Sequence, residues 1–207
     1  MSETSAPAID PNLVSRVKNL LTRPRFEWPV IEDEYATTET LFRNYAVLLA
    51  AIGPIAGLLG GIAFGDDKSL LGMLVGGALG YVASLVVTFI MGYVIDALAS
   101  SFGGTPNRLQ AMKVAVYSTT ASWIAGIGGL IPVLGGLIGL IGFGFSVFLL
   151  FLGLRQLMKA PQDKIVLYTV VTVIALIVVA MICFAIVAAI VGITVGGAVG
   201  LAAISSL

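Results

Sequence analysis

Five apolar runs alternate with short charged islands along this chain, and each run is long enough to cross a membrane. A helix needs roughly 20 apolar residues to span a hydrocarbon layer of about 30 Å. Backbone amides cannot stay unpaired in lipid, so each run is expected to be helical. The pattern predicts an all-α polytopic membrane protein with a five-helix transmembrane domain over residues 43–190. Its predicted spans are about 43–63, 70–99, 111–130, 133–154 and 165–189.

The region before the first span divides into two parts. Residues 1–10 are expected to be a disordered tail, and residues 11–42 a cytoplasmic or interfacial segment. Asp10 and Pro11 have the pattern of a helix start, an N-cap followed by proline at the first helical position. Apolar residues then recur at helical spacing, with cations off that face. The apolar residues are Leu13, Val14, Val17, Leu20 and Leu21, and the cations are Arg16, Lys18 and Arg23.

Two placements fit this amphipathic helix. It either lies in the membrane interface or packs against the cytoplasmic loops of the same protein. The next stretch contains Pro24 and Pro29, and we expect that it cannot form one continuous helix. Phe26 and Trp28 lie in this stretch and are predicted to be interfacial anchors, because aromatic side chains favour the headgroup zone.

Prolines, glycines and hydroxyl residues predict where the helices begin, bend and turn. Thr37 and Thr38 offer a cap for the helix that enters the first span. Pro54 inside that span predicts a kink. Turns are expected at 65–68 and Pro132 on the external side, and at Gly103 and Gly104 on the internal side. Residues 191–207 form an apolar, glycine-rich external tail that could extend the fifth span, fold back, or rest on the outer surface.

The distribution of cations predicts the orientation of the chain. Ten of the eleven Lys and Arg residues would face one side of the membrane after five crossings, and Lys68 is the exception. The ten are Arg16, Lys18, Arg23, Arg25, Arg43, Arg108, Lys113, Arg155, Lys159 and Lys164. Cationic loops remain in the cytoplasm, so the amino terminus is predicted to be cytoplasmic and the carboxyl terminus external.

Composition narrows the range of functions. Mean hydropathy is +1.06, and only 11% of residues are charged, against roughly 25% in soluble domains. The chain has no histidine and a single cysteine, Cys183, so the commonest general base and an intrachain disulfide are both excluded. No catalytic set, metal cluster or cofactor motif is recognised, and no basic block indicates nucleic acid. An enzyme is the least supported class.

Asp96 is the only acidic residue that this pattern places inside a span, about one turn from the cytoplasmic end of the second. A carboxylate inside a membrane costs roughly 2.5–3.5 kcal/mol unless it is paired, so it is a functional candidate by default. It could relay protons or cations. Alternatively, it reaches the interface and pairs with Lys113, Arg108 or Arg43, which is the interpretation we favour.

The third predicted span is the most polar. The candidate polar site comprises Asp96, Lys113, Tyr117, Ser118, Thr120 and Arg155. The polar residues of the third span occupy more than one helical face, so they do not form a clean pore-lining stripe. Hydroxyl groups in lipid usually bond to a carbonyl of their own helix or to a neighbouring helix. We therefore favour helix packing over a hydrophilic crevice.

Many glycines are spaced four residues apart, which allows helices to approach closely. The pairs are Gly53 and Gly57, Gly72 and Gly76, Gly76 and Gly80, Gly135 and Gly139, Gly192 and Gly196, and Gly196 and Gly200. This spacing fits close packing within the bundle and also a homo-oligomer built through glycine-rich helix faces.

Three stretches of the chain resemble a known family. They are RPRFEWPVIEDE, the run ALASSFGGTPNRLQAMKVAVYSTTASWIAGI, and the run LIPVLGGLIGLIGFGFSVFLLFLGLRQLMKAPQDK. The most specific parts are residues 102–104, Tyr117-Ser118, the 130–132 hairpin and residues 153–161. These residues resemble the bacterial branch of the Yip-one (Ypt-interacting protein) domain family over about 12–190.

The resemblance implies five membrane-spanning helices with a cytoplasmic amino terminus. Eukaryotic members of the family sit in Golgi and endoplasmic-reticulum membranes and are linked to Rab GTPases, whereas bacterial members have no settled activity. Arg155 stands where proline is usual in the bacterial branch, and the aromatic residues of the fourth span are Phe rather than Tyr. The family offers no catalytic residues to carry over.

Three functions compete on this basis. The first is a non-enzymatic scaffold of the bacterial inner membrane, which organises the bilayer, other membrane proteins or copies of itself. The second is a small oligomeric transporter or channel that uses a polar crevice near Asp96 and the third span. A Rab-type adaptor is the third and rests on family analogy alone.

Overall fold

The computed structural model describes residues 12–64 and 70–205, which form helices joined by short turns. The predicted tail (1–10), the cap at Asp10 and Pro11, the external turn at 65–68 and its cation Lys68 lie outside the described residues. The α-helices are α1 (Leu13–Thr22), α2 (Pro24–Asp33), α3 (Thr38–Leu41), α4 (Val47–Ala50), α5 (Ile52–Phe64), α6 (Leu70–Ala99), α7 (Arg108–Ser118), α8 (Thr120–Ala125), α9 (Pro132–Leu157) and α10 (Ile165–Ser205).

Helices α1 and α2 form what we call the amino-terminal hairpin, residues 13–33. Asn12 caps α1, and its side chain accepts a hydrogen bond from the amide of Val14. The expectation that two prolines exclude a continuous second helix is wrong, because α2 runs through Pro29. Pro24 sits at the first helical position, where no amide donor is needed. Pro29 removes a single hydrogen bond, and burial of the inner face of α2 offsets that loss.

The first span is a chain of short helices rather than one rod. Thr37 caps α3 through a reciprocal pair of hydrogen bonds with Thr40, which confirms the predicted helix start. A π-helix over Phe42–Ala46 follows and leads into α4. The α-helix is interrupted at Ala51, three residues before Pro54, and α5 continues from Ile52.

Four helical stretches of the described chain are long and apolar enough to cross a membrane. They are Thr38–Phe64, Leu70–Phe102, Val133–Leu157 and Ile165–Gly197. The predicted third span is not among them, because it divides into α7, α8 and a 3₁₀-helix over Gly126–Leu130, with a break at Thr119. The finding is therefore an all-helical chain with four candidate spans and one broken helical segment, residues 108–130.

The broken segment nevertheless runs the length of the bundle. At its start, the Lys113 side chain reaches α2. At its end, an added Cβ on Gly60 of α5 would come within 2.2 Å of the Gly129 carbonyl. We call the end that holds Asp96, Lys113 and Lys159 the charged end, and the end that holds Gly60 and Leu130 the opposite end.

Helices α6 and α10 pack antiparallel along their length. Phe102, just after α6, stacks on Tyr168 near the start of α10 with ring centroids 5.1 Å apart. At the other end, an added Cβ on Gly76 would meet Val191 at 3.7 Å. Helix α10 continues to Ser205, so of the three alternatives for the residues after the fifth span, the described backbone extends that span as one helix.

Close glycine contacts join α5 to the end of the broken segment. An added Cβ on Gly126 would lie 2.8 Å from the Cα of Gly53, and one on Gly129 would lie 3.1 Å from the Gly57 nitrogen. Gly135 similarly faces the Gly128 carbonyl at 2.8 Å. Part of the glycine spacing therefore serves packing within one chain. Gly139, Gly192 and Gly196 have open space around the position of a Cβ.

Candidate functional site

A buried polar cluster lies at the charged end, where the amino-terminal hairpin packs on the bundle. Lys113 of α7 is 1% exposed. Its Nζ donates to the carbonyls of Ile31 (2.8 Å), Glu32 (3.1 Å) and Glu34 (2.6 Å). These groups belong to the end of α2, where carbonyls have no partner within the helix. Lys113 therefore acts as a positive cap on another helix, in the position that the helix dipole favours.

Gln110 lies one turn before Lys113 on α7 and reinforces this cap. Its side-chain amide donates to the Glu32 carbonyl at 3.1 Å. Because residues three apart share a helix face, α7 presents two donors to the end of α2. The same segment of sequence that forms the charged end of the broken helix thus fixes the hairpin in place.

Arg16 of α1 is the second buried cation and is 2% exposed. Its guanidinium donates to Glu27 at 2.5 Å and to the carboxylate of Glu34. It also lies over the Tyr117 ring, with 5.5 Å from Cζ to the centroid. A charge buried this deeply is tolerated only when it is paired. The expectation that Arg16 points away from the buried face of α1 is wrong, because its two carboxylate partners neutralise it inside.

Glu32 links the hairpin to the carboxyl-terminal end of α9. Its carboxylate accepts a hydrogen bond from Gln156 at 2.6 Å and pairs with Lys159. Burial alone would raise the pKa of Glu32, but the bonds from Lys159 and Gln156 and the nearby charge of Lys113 hold that pKa below the ordinary value for glutamate. The carboxylate is therefore ionised at neutral pH.

The two predicted aromatic anchors have different surroundings. Phe26 is 77% exposed and remains available to the interface. Trp28 is instead 1% exposed, and its ring packs against Gly153 of α9, where an added Cβ would come within 2.7 Å. Trp28 is therefore a core residue, because the missing side chain at 153 leaves room for the indole.

The hydroxyl groups of the broken segment are used in packing. The Tyr45 hydroxyl, on the π-helix, lies 2.8 Å from the Thr120 hydroxyl, which donates to the Tyr117 carbonyl. The rings of Tyr45 and Tyr117 meet edge to face, 4.8 Å apart. Ser118 donates to the Ala115 carbonyl at 3.3 Å. The irregular part of the first span and the break in the third thus meet at one buried hydroxyl pair.

Asp96 lies apart from this cluster. It pairs with Arg108 across 2.8 Å, and that guanidinium stacks on Tyr93 at 4.0 Å. The Arg108 side chain is half exposed. Arg155, in the last turn of α9, is exposed. The structure therefore brings together Lys113, Tyr117 and Thr120 and leaves Asp96 and Arg155 outside their cluster.

A shallow apolar depression lies between α6 and α10. It is lined by Val87, Met91, Val94, Thr172, Ala175, Leu176 and Val179. None of these is a residue of the predicted polar site. No set of three or more His, Cys, Asp or Glu residues arranged to hold a metal is found in the described part of the chain.

Sequence reasoning missed four members of the cluster, namely Arg16, Glu27, Glu34 and Tyr45. The signal for Arg16, Glu27 and Glu34 is a segment that contains its own opposite charges, with cations in α1 and acids in α2 or directly after it, whereas Tyr45 carries no such signal. This pattern indicates ion pairing between the two helices. The partner Lys113 lies about 80 residues away, and only the fold brings it near.

Comparison with known proteins places this fold in a family. The Yip1 domain model matches residues 18–184. The chain is 29% identical over 161 residues to the inner membrane protein YohC of Escherichia coli K-12, which covers 73% of this chain and 83% of the relative. YohC of Escherichia coli O6:H1 matches to the same extent. No solved structure matches significantly. The extent of the Yip1 match, from α1 into α10, shows that this chain belongs to the Yip1 domain family.

Proposed function

We propose that this chain is a non-enzymatic scaffold of the bacterial inner membrane, held in five crossings, with its amino-terminal hairpin presented in the cytoplasm. The observation that carries the proposal is the way the polar residues are used. Lys113 caps α2, Arg16 neutralises two acids, and Thr120 bonds to the first span. These interactions fix a cytoplasmic module on the bundle.

Two features support five crossings. The broken segment reaches from the charged end to the opposite end, where Gly129 meets Gly60. Ten of eleven cations then share one side of the membrane, in keeping with the positive-inside rule. The name of the relative YohC supports an inner-membrane location.

A scaffold must contact other molecules through exposed residues, and Tyr35 offers such a position at 93% exposure. We would place a photo-crosslinking residue at Tyr35, with Val133 at the opposite end, 89% exposed, as the matched control. The expected result in native membranes is a discrete protein adduct from position 35, either a second copy or another membrane protein. A monomer in mild detergent, together with no protein adduct from position 35, would contradict the scaffold.

A transporter or channel is the second candidate, because a π-helix meets a broken helix at Tyr45 and Thr120. Discontinuous helices line substrate sites in many transporters. Flux of ions or small solutes is measured in proteoliposomes for the wild type, Asp96→Asn and Thr120→Val, with empty liposomes as the baseline. The scaffold predicts no flux above the baseline. Flux that falls in Thr120→Val would instead establish transport.

A further inference from the structure

The outward face of the amino-terminal hairpin carries an unusual combination of exposed residues. Phe26 is 77% exposed, Val14 69% and Val30 42%. The cations Lys18, Arg23 and Arg25 of the same segment are also exposed. The inward face of the same hairpin is buried. Exposed apolar side chains together with exposed cations are typical of surfaces that insert into a charged membrane interface.

The charge of this face is positive because the acids of the hairpin turn inward. Glu27 binds Arg16, and Glu32 binds Lys159. Asp33 is the exposed acid of the hairpin, against three exposed cations. The ion pairs at the buried face thus leave the outward face with a net positive charge, which is complementary to an anionic surface.

The depth of the hairpin matches the headgroup layer. Trp28 packs on Gly153, four residues before the end of α9 at Leu157, which corresponds to about 6 Å along the helix axis. Arg16 lies over Tyr117, within the third predicted span. The headgroup region is roughly 5–8 Å thick on each side of the hydrocarbon. The hairpin therefore lies beside the ends of the spans rather than above them.

We infer that the outward face of the amino-terminal hairpin binds anionic phospholipid headgroups of the membrane in which the protein sits. Phe26 inserts at the boundary between the headgroups and the acyl chains, and Arg23 and Arg25 bind the phosphates. Each basic residue near an anionic surface strengthens lipid binding about fivefold. The inference rests on the proposed function, in which the chain crosses the membrane and its hairpin lies on the cytoplasmic side. It adds a class of ligand that the scaffold role does not specify.

The test measures which lipid surrounds position 26. An environment-sensitive fluorophore is attached at Phe26→Cys in a Cys183→Ala background, and the full chain is placed in nanodiscs of phosphatidylcholine and phosphatidylglycerol. Quenching by brominated phosphatidylglycerol is compared with quenching by brominated phosphatidylcholine. Thr105→Cys, in an exposed loop at the same end, gives the signal of a position in water. We expect stronger quenching at position 26, with a several-fold preference for the anionic lipid.

A pair of matched variants isolates the charge. Arg23→Gln/Arg25→Gln is expected to reduce the preference for the anionic lipid several-fold, whereas Arg155→Gln/Lys164→Gln, also exposed cations at the charged end, leaves it unchanged. Helical content, measured by circular dichroism, establishes that both variants are folded.

Three results would overturn the inference. The first is a probe at position 26 as solvated as one at position 105, and the second is equal quenching by the two lipids in the folded wild type. The third is a fluorophore whose protection from water depends on the protein concentration and not on the lipid headgroup. That result would assign this face to contact with a second copy of the chain. Each leaves the scaffold proposal standing, because that proposal is tested by protein adducts at Tyr35.

Discussion

Lys113 shows how a single buried cation can connect two distant parts of a chain. Three carbonyls at the end of α2 are bonded to its ammonium group. In water these carbonyls would be hydrated, but within the bundle the lysine replaces that hydration. Since an ammonium group donates up to three hydrogen bonds, all three donors of Lys113 bond to the end of α2.

We predict that Lys113→Met detaches the hairpin. The substitution keeps the length of the side chain but leaves the buried Ile31 carbonyl without its donor, at about 1–3 kcal/mol, whereas Gln110 still donates to the Glu32 carbonyl. Limited proteolysis between α2 and α3 in detergent is expected to become much faster than in the wild type. Lys164→Met, at an exposed lysine, is the control and should cut at the wild-type rate. Equal resistance of both variants would show that Lys113 does not hold the hairpin.

Residues differ in how far sequence alone could place them. The pairing of Asp96 with a loop cation could be anticipated, because both lie near a predicted boundary and Arg108 was one of three named partners. Trp28 could not be placed correctly, because its burial depends on the absence of a side chain at Gly153, 125 residues later. The amphipathic pattern of a sequence shows which residues avoid water. It does not show whether lipid or protein surrounds those residues instead.

At the scale of elements, the hairpin is held by its buried apolar face and by a small number of ionic contacts. One of them, between Glu32 and Lys159, responds to acid. The pKa of Glu32 is lower in the folded chain than in the unfolded chain. Its contribution to stability is therefore complete above the ordinary glutamate pKa, about 4.3, and is lost as the pH falls through the lowered value.

We predict that acid below about pH 4.3 loosens the hairpin, and that Glu32→Gln removes part of this pH dependence. Trp28 reports the change when Trp123→Phe leaves it as the single tryptophan. Its accessibility to a soluble quencher is expected to rise as the pH is lowered in the otherwise wild-type chain. In Glu32→Gln, accessibility should be higher at neutral pH and vary less. A titration with identical shape in both chains would exclude Glu32 as the sensor.

The contact between α5 and the 3₁₀-helix depends on glycine more than on side-chain packing. We predict that Gly60→Ala destabilises the chain by roughly 1–3 kcal/mol, because the added methyl group would lie 2.2 Å from the Gly129 carbonyl. Gly139→Ala has open space around it and should be neutral or slightly stabilising, since alanine favours a helix. Thermal unfolding in one detergent compares them, and equal midpoints would contradict the close approach.

Among the elements, the long uniform helices were the most predictable. The boundaries expected for the second span coincide with α6, because a thirty-residue segment with a single charge, Asp96, leaves few alternatives. The third predicted span was less predictable. Its polar residues allow a break at Thr119, and three glycines allow it to tighten after Ala125. The continuation of α10 was left open by the sequence, because glycine-rich apolar segments suit several conformations.

At the scale of the whole molecule, the number of crossings decides the side on which the chain ends. We predict five, so a reporter fused after Leu207 should face the periplasm, and one inserted at Gln162 should face the cytoplasm. Alkaline phosphatase is active only outside, which makes the readout direct. If the broken segment did not cross, the carboxyl terminus would return to the cytoplasm, and phosphatase fused after Leu207 would be inactive.

The contacts of the amino-terminal hairpin also determine the order in which the parts of the protein fold during synthesis. Helices α1 and α2 are synthesised first, yet their partner Lys113 follows two predicted spans and their partner Lys159 follows four. Until then Leu20, Trp28 and Ile31 have no core to enter. The hairpin can pack only after α7 and α9 have come together. A chain in which these helices are misassembled therefore leaves the apolar side chains of the hairpin exposed, where proteases can recognise them.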